Sequence, residues 1–275
     1  MLLTKRDLEI FAIISRCAIL TTSQLSKTVF RGTATTTVLR RLRKLEKAKL
    51  IERIEGLANY ENAWALTAKG AEAIGYLNPK RHFHRLSLGH DVKLTELRLL
   101  LEDTGIARSW IPEHEIRSAM AKKYGLQRVK SQSVPDGIMS ASYQGIMESV
   151  AIELELHHKN KDRYRDIFRS YAEKRNLKAV WYLVPSESLG KHLETLWTKY
   201  NGKYGPWFLW SLVDDVLENT KASTVRYFDQ STELEKLFES AHPGGFGVSS
   251  LQDQKEEIQT KLSAENQNEL PAKVG

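Results

Sequence analysis

The sequence predicts a mixed α+β / α/β chain built as two folded units and a polar tail. Three observations predict it. Near the N-terminus a basic third helix is followed at once by two short apolar strands around Gly56. In the middle of the chain a strand pair turns at Gln144-Gly145. Further on, Ala179–Val184 is a continuous apolar run closed by Pro185, which is how a buried strand reads. The units expected are residues 1–77, a linker at 78–87, a second domain at 88–240 and a flexible tail at 241–275.

A length of 275 residues suits two domains of ordinary size, and 41% hydrophobic residues supports packed cores. The net charge of +7 and a pI near 9.3 favour an acidic partner, nucleic acid ahead of an anionic membrane. Cys17 is the single cysteine. It rules out an intrachain disulfide, suits a reducing cytoplasm and lies in an apolar helical pattern as a core residue. No apolar run approaches the length of a membrane span and no signal-peptide core opens the chain, so a soluble cytoplasmic protein is expected.

In the first unit, Leu8, Phe11, Ile14 and Cys17 recur at helical spacing and predict a helix from about Lys5 to Arg16. Thr21 or Thr22 is a natural N-cap for a short second helix ending near Val29. Gly32 breaks the chain, and Thr33 or Thr35 can cap a third helix running to about Lys49. Its inward stripe is Val38, Leu42 and Leu45; Thr36, Arg40, Arg43, Lys44 and Lys47 fall elsewhere at steps of three or four. Leu50–Ile54 and Tyr60–Leu66 then read as strands, and Thr67–Gly70 leads into a further helix. This is the order of a winged helix-turn-helix, and Trp64–Gly70 resembles that family's passage from wing to helix. A basic helix alone is commonly a solvated face. As the third helix before a wing, this one is read as binding double-stranded DNA. Thr33, Thr35, Thr36, Arg40, Arg41, Arg43, Lys44 and Lys47 are the candidate contacts, basic residues to phosphates and Thr or Arg near the N-terminus to base edges.

Asn78–Arg85 reads as a basic linker, with His82 and His84 a weak metal pair. Leu88–Asp103 carries Leu94, Leu97, Leu100 and Leu101 as a buried helix; its Glu96 is read as exposed, and His90-Asp91 as a pair expected by chance. Ser109–Ser118 is expected as a strand pair broken at Pro112, and Lys122, Lys123, Arg128 and Lys130 as a basic loop. Tyr164, Ile167, Phe168 and Tyr171 predict a helix facing the sheet, and Leu189, Leu193, Leu196 and Trp197 another. Strands at 207–213 and 223–228 and a short helix at 232–240 complete the unit, with Trp207 and Trp210 read as core.

The central strand pair carries the chemistry. Pro135-Asp136 opens its first strand. In the second, a period of two sends Val150, Ile152, Leu154 and Leu156 one way and Glu153, Glu155 and His157 the other. Alternation of this kind describes a strand with its polar side in water. It also describes an acidic cluster of Asp136, Glu153 and Glu155 assembled for a divalent cation, since grouped carboxylates repel one another until a cation neutralises them.

Pro-Asp, a hairpin, Glu153-Leu154-Glu155 and then a helix carrying basic residues resemble the core of the PD-(D/E)xK nuclease superfamily. With the winged helix in front, residues 5–200 resemble the replication-relaxation family of plasmids and mobile elements and the related restriction-endonuclease-like mobilisation relaxases. The resemblance implies a restriction-endonuclease-like three-layer second domain. It further implies Mg²⁺ or Mn²⁺ held by Asp136, Glu153 and Glu155, and a cation such as Lys161 at the reacting phosphate. Glu155 stands where the superfamily pattern has Lys; Lys159, Lys161, Arg163 and Arg165 are the basic residues beyond it.

Two functions follow. One is a DNA-binding protein of a plasmid or other mobile element whose second domain nicks or relaxes DNA with a metal, working with mobilisation or replication proteins or as a homodimer. The other is a non-catalytic transcriptional regulator whose second domain serves DNA binding, dimerisation or ligand sensing. The three-histidine cluster of tyrosine relaxases is missing from the sequence.

Overall fold

Helix α1 (Lys5–Cys17) begins at a reciprocal cap in which Thr4 and Asp7 each bond the other's backbone. Its buried stripe is Ile10, Phe11, Ile13, Ile14 and Cys17, whereas Leu8, expected inside, is 41% exposed. A two-residue strand β1 (Leu20–Thr21) leads into α2 (Thr22–Thr28), capped by Thr21 with Gln24 as its return partner. Helix α3 (Thr35–Lys47) starts at Ala34, which offers no side-chain cap, so neither Thr33 nor Thr35 has the capping role the sequence led us to expect. Strands β2 (Ile51–Ile54) and β3 (Ala63–Leu66) pair antiparallel, β3 also pairs with β1, and α4 (Ala68–Glu72) follows. The structure is a computed structural model that describes residues 2–59, 61–77, 79–80, 82–201 and 205–239; the expected tail at 241–275 lies outside the described residues.

Helix α5 (Leu88–Asp103) is a shared wall. Leu99 belongs to the core formed by α1, α2, α3 and their strands, while Leu97 and Leu101 belong to the core of the larger sheet. The stretch before α5, expected as a free linker, is partly packed: Phe83 lies against the cluster of Ile19, Ala63 and Leu88.

Strand β4 (Ser109–Pro112) is followed by α6 (Glu113–Tyr124) and α7 (Leu126–Ser131). The expected strand to Ser118 and the basic loop are therefore helical. Pro112 does not break a strand; it stands at the N-cap of α6, whose first turn carries Glu113 and Glu115, a favourable sign at a helix N-terminus. Lys122 and Lys123 are exposed on α6; of Arg128 and Lys130 only the helical backbone is described.

Strands β5 (Gly137–Tyr143) and β6 (Ile146–Leu154) form the central hairpin. Its two turn residues, Gln144 and Gly145, have φ of 52° and 75°, the pair of left-handed conformations that matches the twist of the flanking strands. Then come α8 (Lys161–Ala172), β7 (Ala179–Val184), α9 (Glu187–Tyr200), β8 (Trp207–Leu212), α10 (Val213–Asn219), β9 (Thr224–Tyr227), β10 (Gln230–Glu233) and a single turn α11 (Leu234–Leu237). Thr232 and Glu233, expected at the start of a short helix, belong to strand β10. Trp210 is in the core as expected; Trp207, expected there too, is 37% exposed.

The seven-stranded sheet runs β10-β9-β8-β7-β6-β5-β4. Its middle pairs, β6 with β7 and β7 with β8, are parallel, and the rest are antiparallel. Both faces are covered. Val150, Ile152 and Leu154 pack toward α5 and α10, and Ala151, Val180 and Tyr182 pack toward Tyr164, Phe168 and Tyr171 of α8 and Leu193 and Trp197 of α9. The alternation along β6 is the one its sequence predicts.

Gly137 fixes how β5 begins. Pro112 and Gly137 are register partners, and a Cβ at Gly137 would lie 2.6 Å from the Trp110 indole. Trp110 is itself only 7% exposed and cannot swing into solvent. Gly137→Ala is therefore expected to lose about 1–3 kcal/mol of stability, the usual cost of overpacking, as measured by urea unfolding. A variant as stable as the parent would show that the indole has room to move.

Candidate functional site

Asp136 lies one residue before β5, and β5 pairs Gly137 with Ile152 of β6, so the hairpin register brings Asp136 to the end of β6 that carries Glu153 and Leu154. Asp136 Oδ2 accepts the Leu154 N–H at 2.8 Å. His90 of α5, which beside Asp91 reads as a pair expected by chance, reaches the same oxygen: its Nε2 is 3.3 Å from Asp136 Oδ2 and 3.0 Å from the Leu154 carbonyl oxygen. On its far side His90 Nδ1 is 3.8 Å from Asp91 Oδ1, and Asp91 is paired with Lys80 at 2.8 Å. Burial pulls the His90 imidazole down, but hydrogen bonds to Asp136 and Asp91 outweigh it and lift it to about 10. Beside His90 is a small cavity of about 40 Å³, lined among others by Lys80, Asp91, Arg98, His114 and Asp136. His114 is held low, at about 4, by burial and by the charges of Lys80 and Arg98.

Glu153 and Glu155 point to the opposite face from His90, toward α8. Glu153 accepts a hydrogen bond from the Tyr171 hydroxyl. Burial first, and then the charge of Asp136, push its carboxyl up to about 8. Glu155, only 4% exposed, is ion-paired with Lys159; burial raises its carboxyl and Lys159 offsets part of that. The predicted acids thus lie on neighbouring residues but have separate partners. Among the described residues, no group of three or more His, Cys, Asp or Glu is arranged to hold a metal ion.

The basic residues sort differently from expectation. Lys161, favoured from the sequence, is exposed at the first position of α8. Lys174, just past the end of that helix, lies 4.6 Å above the Tyr171 ring and donates to the Ser133 carbonyl at 3.4 Å. Burial lowers its ammonium, and the charge of Glu153 offsets only part of that. It is within reach of the Glu153 charge, as Lys159 is from the loop before α8, and helical spacing could not find it because it lies beyond the helix.

The donor chemistry fits Mg²⁺ or Mn²⁺ in part. Asp136 and Glu153 are neighbouring oxygen donors whose charges oppose each other, and Mg²⁺ commonly takes one or two carboxylates and keeps its waters. Glu155, turned onto Lys159, does not fit as a third ligand.

The second candidate surface is α3. Val38, Leu42 and Leu45 are fully buried, whereas Thr35, Thr36, Thr37, Arg40, Arg43, Lys44 and Lys47 are exposed. Thr33 is half-buried in the preceding turn, its N–H bonded to the Phe30 carbonyl at 2.9 Å. Arg41 departs from the expected set: it is ion-paired with Asp7 of α1, whose side chain is fully buried. Between α1 and α3 is a concavity of about 760 Å³ lined by Lys5, Arg6, Thr37, Arg40 and Lys44 among others. Lys5 and Arg6 join this face only through the packing of α1 on α3.

A mixed α and β chain with helices over both faces of a seven-stranded sheet defines the class. The replication-relaxation family model matches residues 11–180, well over half of the chain, and the chain belongs to that family. Membership points to a role in replication or plasmid mobility. No curated protein and no solved structure matches it. No described helix is long and apolar enough to cross a membrane.

The Glu153 carboxyl generates a pH prediction. Its native value of about 8 is above the ordinary 4.5, so the native state keeps a proton that the unfolded chain gives up in between. That contribution to stability is full below the unfolded value and is lost as pH rises through about 8. Glu153→Gln keeps an acceptor for Tyr171 and cannot ionise. In metal-free buffer it is expected to match wild type at acidic pH and to exceed it in urea midpoint at alkaline pH. Parallel stability curves across the whole range would refute the assignment.

Proposed function

We propose that the chain binds double-stranded DNA through α3, as a winged helix-turn-helix, in service of replication or plasmid mobility. The observation that carries this is the sorting of α3 into a fully apolar inner stripe and an outer row of three threonines and four basic residues. Such a row suits a helix lying in the major groove, with threonines at the N-terminal end near base edges and Arg40, Arg43, Lys44 and Lys47 on phosphates. Lys5 and Arg6 extend the basic face across the concavity, and β2 with β3 supplies the wing.

A second reading concerns the acidic site, and the neighbouring, mutually opposed Asp136 and Glu153 favour it. These two carboxylates would hold one Mg²⁺ or Mn²⁺. When bound, such an ion lowers the pKa of an attacking water and offsets charge on a leaving oxygen. The chain's own part would be to seat the ion with Asp136 and Glu153, to fix the Glu153 carboxylate through Tyr171, and to set Lys174 near a phosphate. With Glu155 at the pattern's lysine position and already paired, this reading supports ion binding ahead of cleavage. A relaxation assay on supercoiled plasmid with Mn²⁺, comparing wild type with Asp136→Ala, tests cleavage directly.

For DNA binding, Arg40→Ala with Arg43→Ala is expected to weaken affinity for duplex DNA, read by fluorescence anisotropy. It should also lower the salt slope by about two, near one counterion per lost phosphate contact. Unchanged affinity and slope would remove α3 as the reading helix. Arg41→Ala should behave differently: it leaves Asp7 buried and unpaired, so a loss of about 3 kcal/mol in stability is expected, with little change in salt slope once the protein is folded.

A further inference from the structure

We propose that the concavity between α1 and α3 is a seat for the sugar-phosphate backbone of duplex DNA, with Lys5 and Arg6 on one wall and Arg40 and Lys44 on the other. The inference rests on the DNA-binding reading of α3 and divides that helix's outer row between two sites.

The concavity measures about 760 Å³ and is lined by residues of both helices and by Phe30. Thr37, Arg40 and Lys44, at steps of three and four, turn one stripe of α3 toward it. Thr36, Arg43 and Lys47 are not among its lining residues and form the neighbouring stripe. The outer row is therefore wider than a single groove-facing line, and its α1 side looks into a cleft with a second basic wall. Phe30 is 2% exposed, and the Arg6 guanidinium lies over its ring at 5.4 Å. That contact holds the cation in place before any ligand arrives.

Charge decides the ligand. Arg41, which also lines the concavity, is taken up by Asp7. Among the described residues, no ion pair joins Lys5, Arg6, Arg40 or Lys44 to a carboxylate, and Glu9 is the one acid among the lining residues. Four cations around one gap raise the potential inside it and favour a polyanion. The walls are not free to spread and relieve that repulsion. Phe11 and Ile14 of α1 share a core with Val38 and Leu42 of α3. Asp7 also accepts from the Thr4 N–H at 2.7 Å while taking Arg41 from the other wall.

The placement of the two α1 cations is a separate observation. Lys5 and Arg6 are the first two residues of that helix, where the backbone dipole favours acids over cations. Helix stability alone would call for the opposite charge. A sequence that keeps two exposed cations there sets local stability against a contact with something else, and a backbone phosphate in the cleft is that contact.

The test is fluorescence anisotropy of the full chain on two duplexes of unrelated sequence across a salt series, paired with urea unfolding, for wild type and for Lys5→Ala with Arg6→Ala. The double variant should bind both duplexes about fivefold more weakly, the sum of two exposed charge contacts, with the salt slope lowered by about one to two. Its urea midpoint should equal or exceed that of wild type, because cations at the N-terminal end of a helix do not stabilise it. Glu9→Gln, which removes the acid from the lining, should act in the opposite direction and tighten binding to both duplexes. A lower midpoint accompanying the lost affinity would make Lys5 and Arg6 structural and overturn the seat. If the double variant binds like wild type with the same slope while Arg43→Ala with Lys47→Ala weakens binding, the seat is overturned and the α3 reading stands. If the Arg43 and Lys47 pair has no effect either, that reading fails and the seat falls with it. If inorganic phosphate at constant ionic strength displaces the duplex from wild type but not from the Lys5 and Arg6 variant, the cleft is a site for free anions, and the backbone assignment is overturned.

Discussion

The Arg98 guanidinium is the joint on which the two halves of this molecule depend. It is 3% exposed and satisfies four tasks at once. It pairs with Glu102 one turn along α5, bonds the carbonyl at the end of α1 through Arg16, bonds the Trp110 carbonyl of β4 at 3.3 Å, and lies over the Trp110 ring. Glu102 in turn takes Arg16. A buried charge network of this kind adds little net stability over apolar packing, but leaving one member unpaired is costly. Its consequence is geometric. Helix α5 can pack on the first core and the second core only in the one arrangement that keeps all these bonds, and that arrangement puts His90 against Asp136.

Much of this was legible in the residues. The period of two in β6, the apolar run of β7 and the helical spacings of α8 and α9 each report burial directly, because a side chain's neighbours along one element decide them. The inner stripe of α3 was legible for the same reason. Elements with weak burial were not: α6 has no buried residue, so it left no periodicity to read, and β10 is Gln-Ser-Thr-Glu, too polar and short to register as a strand.

Side-chain partners far apart in sequence were hidden altogether. Nothing in the spacing of Arg41 tells it from Arg40 and Arg43, because the difference is Asp7, thirty-four positions away. His90 meets Leu154 across sixty-four positions and looked like a chance neighbour of Asp91. The acidic residues stand out in the pattern, but their separation into three environments does not. That depends on Tyr171, Lys159 and His90, which arrive from α8, the loop before it, and α5.

The borders of the large sheet have a further effect. Its two outermost strands, β4 and β10, are each four residues long; one ends in Pro112, and the other is entirely polar. A proline lacks the N–H that another strand would need, and a short polar border offers little for a foreign strand to pair with or pack against. At these two borders of the large sheet, copies of this chain made in quantity therefore find little on which to polymerise edge to edge.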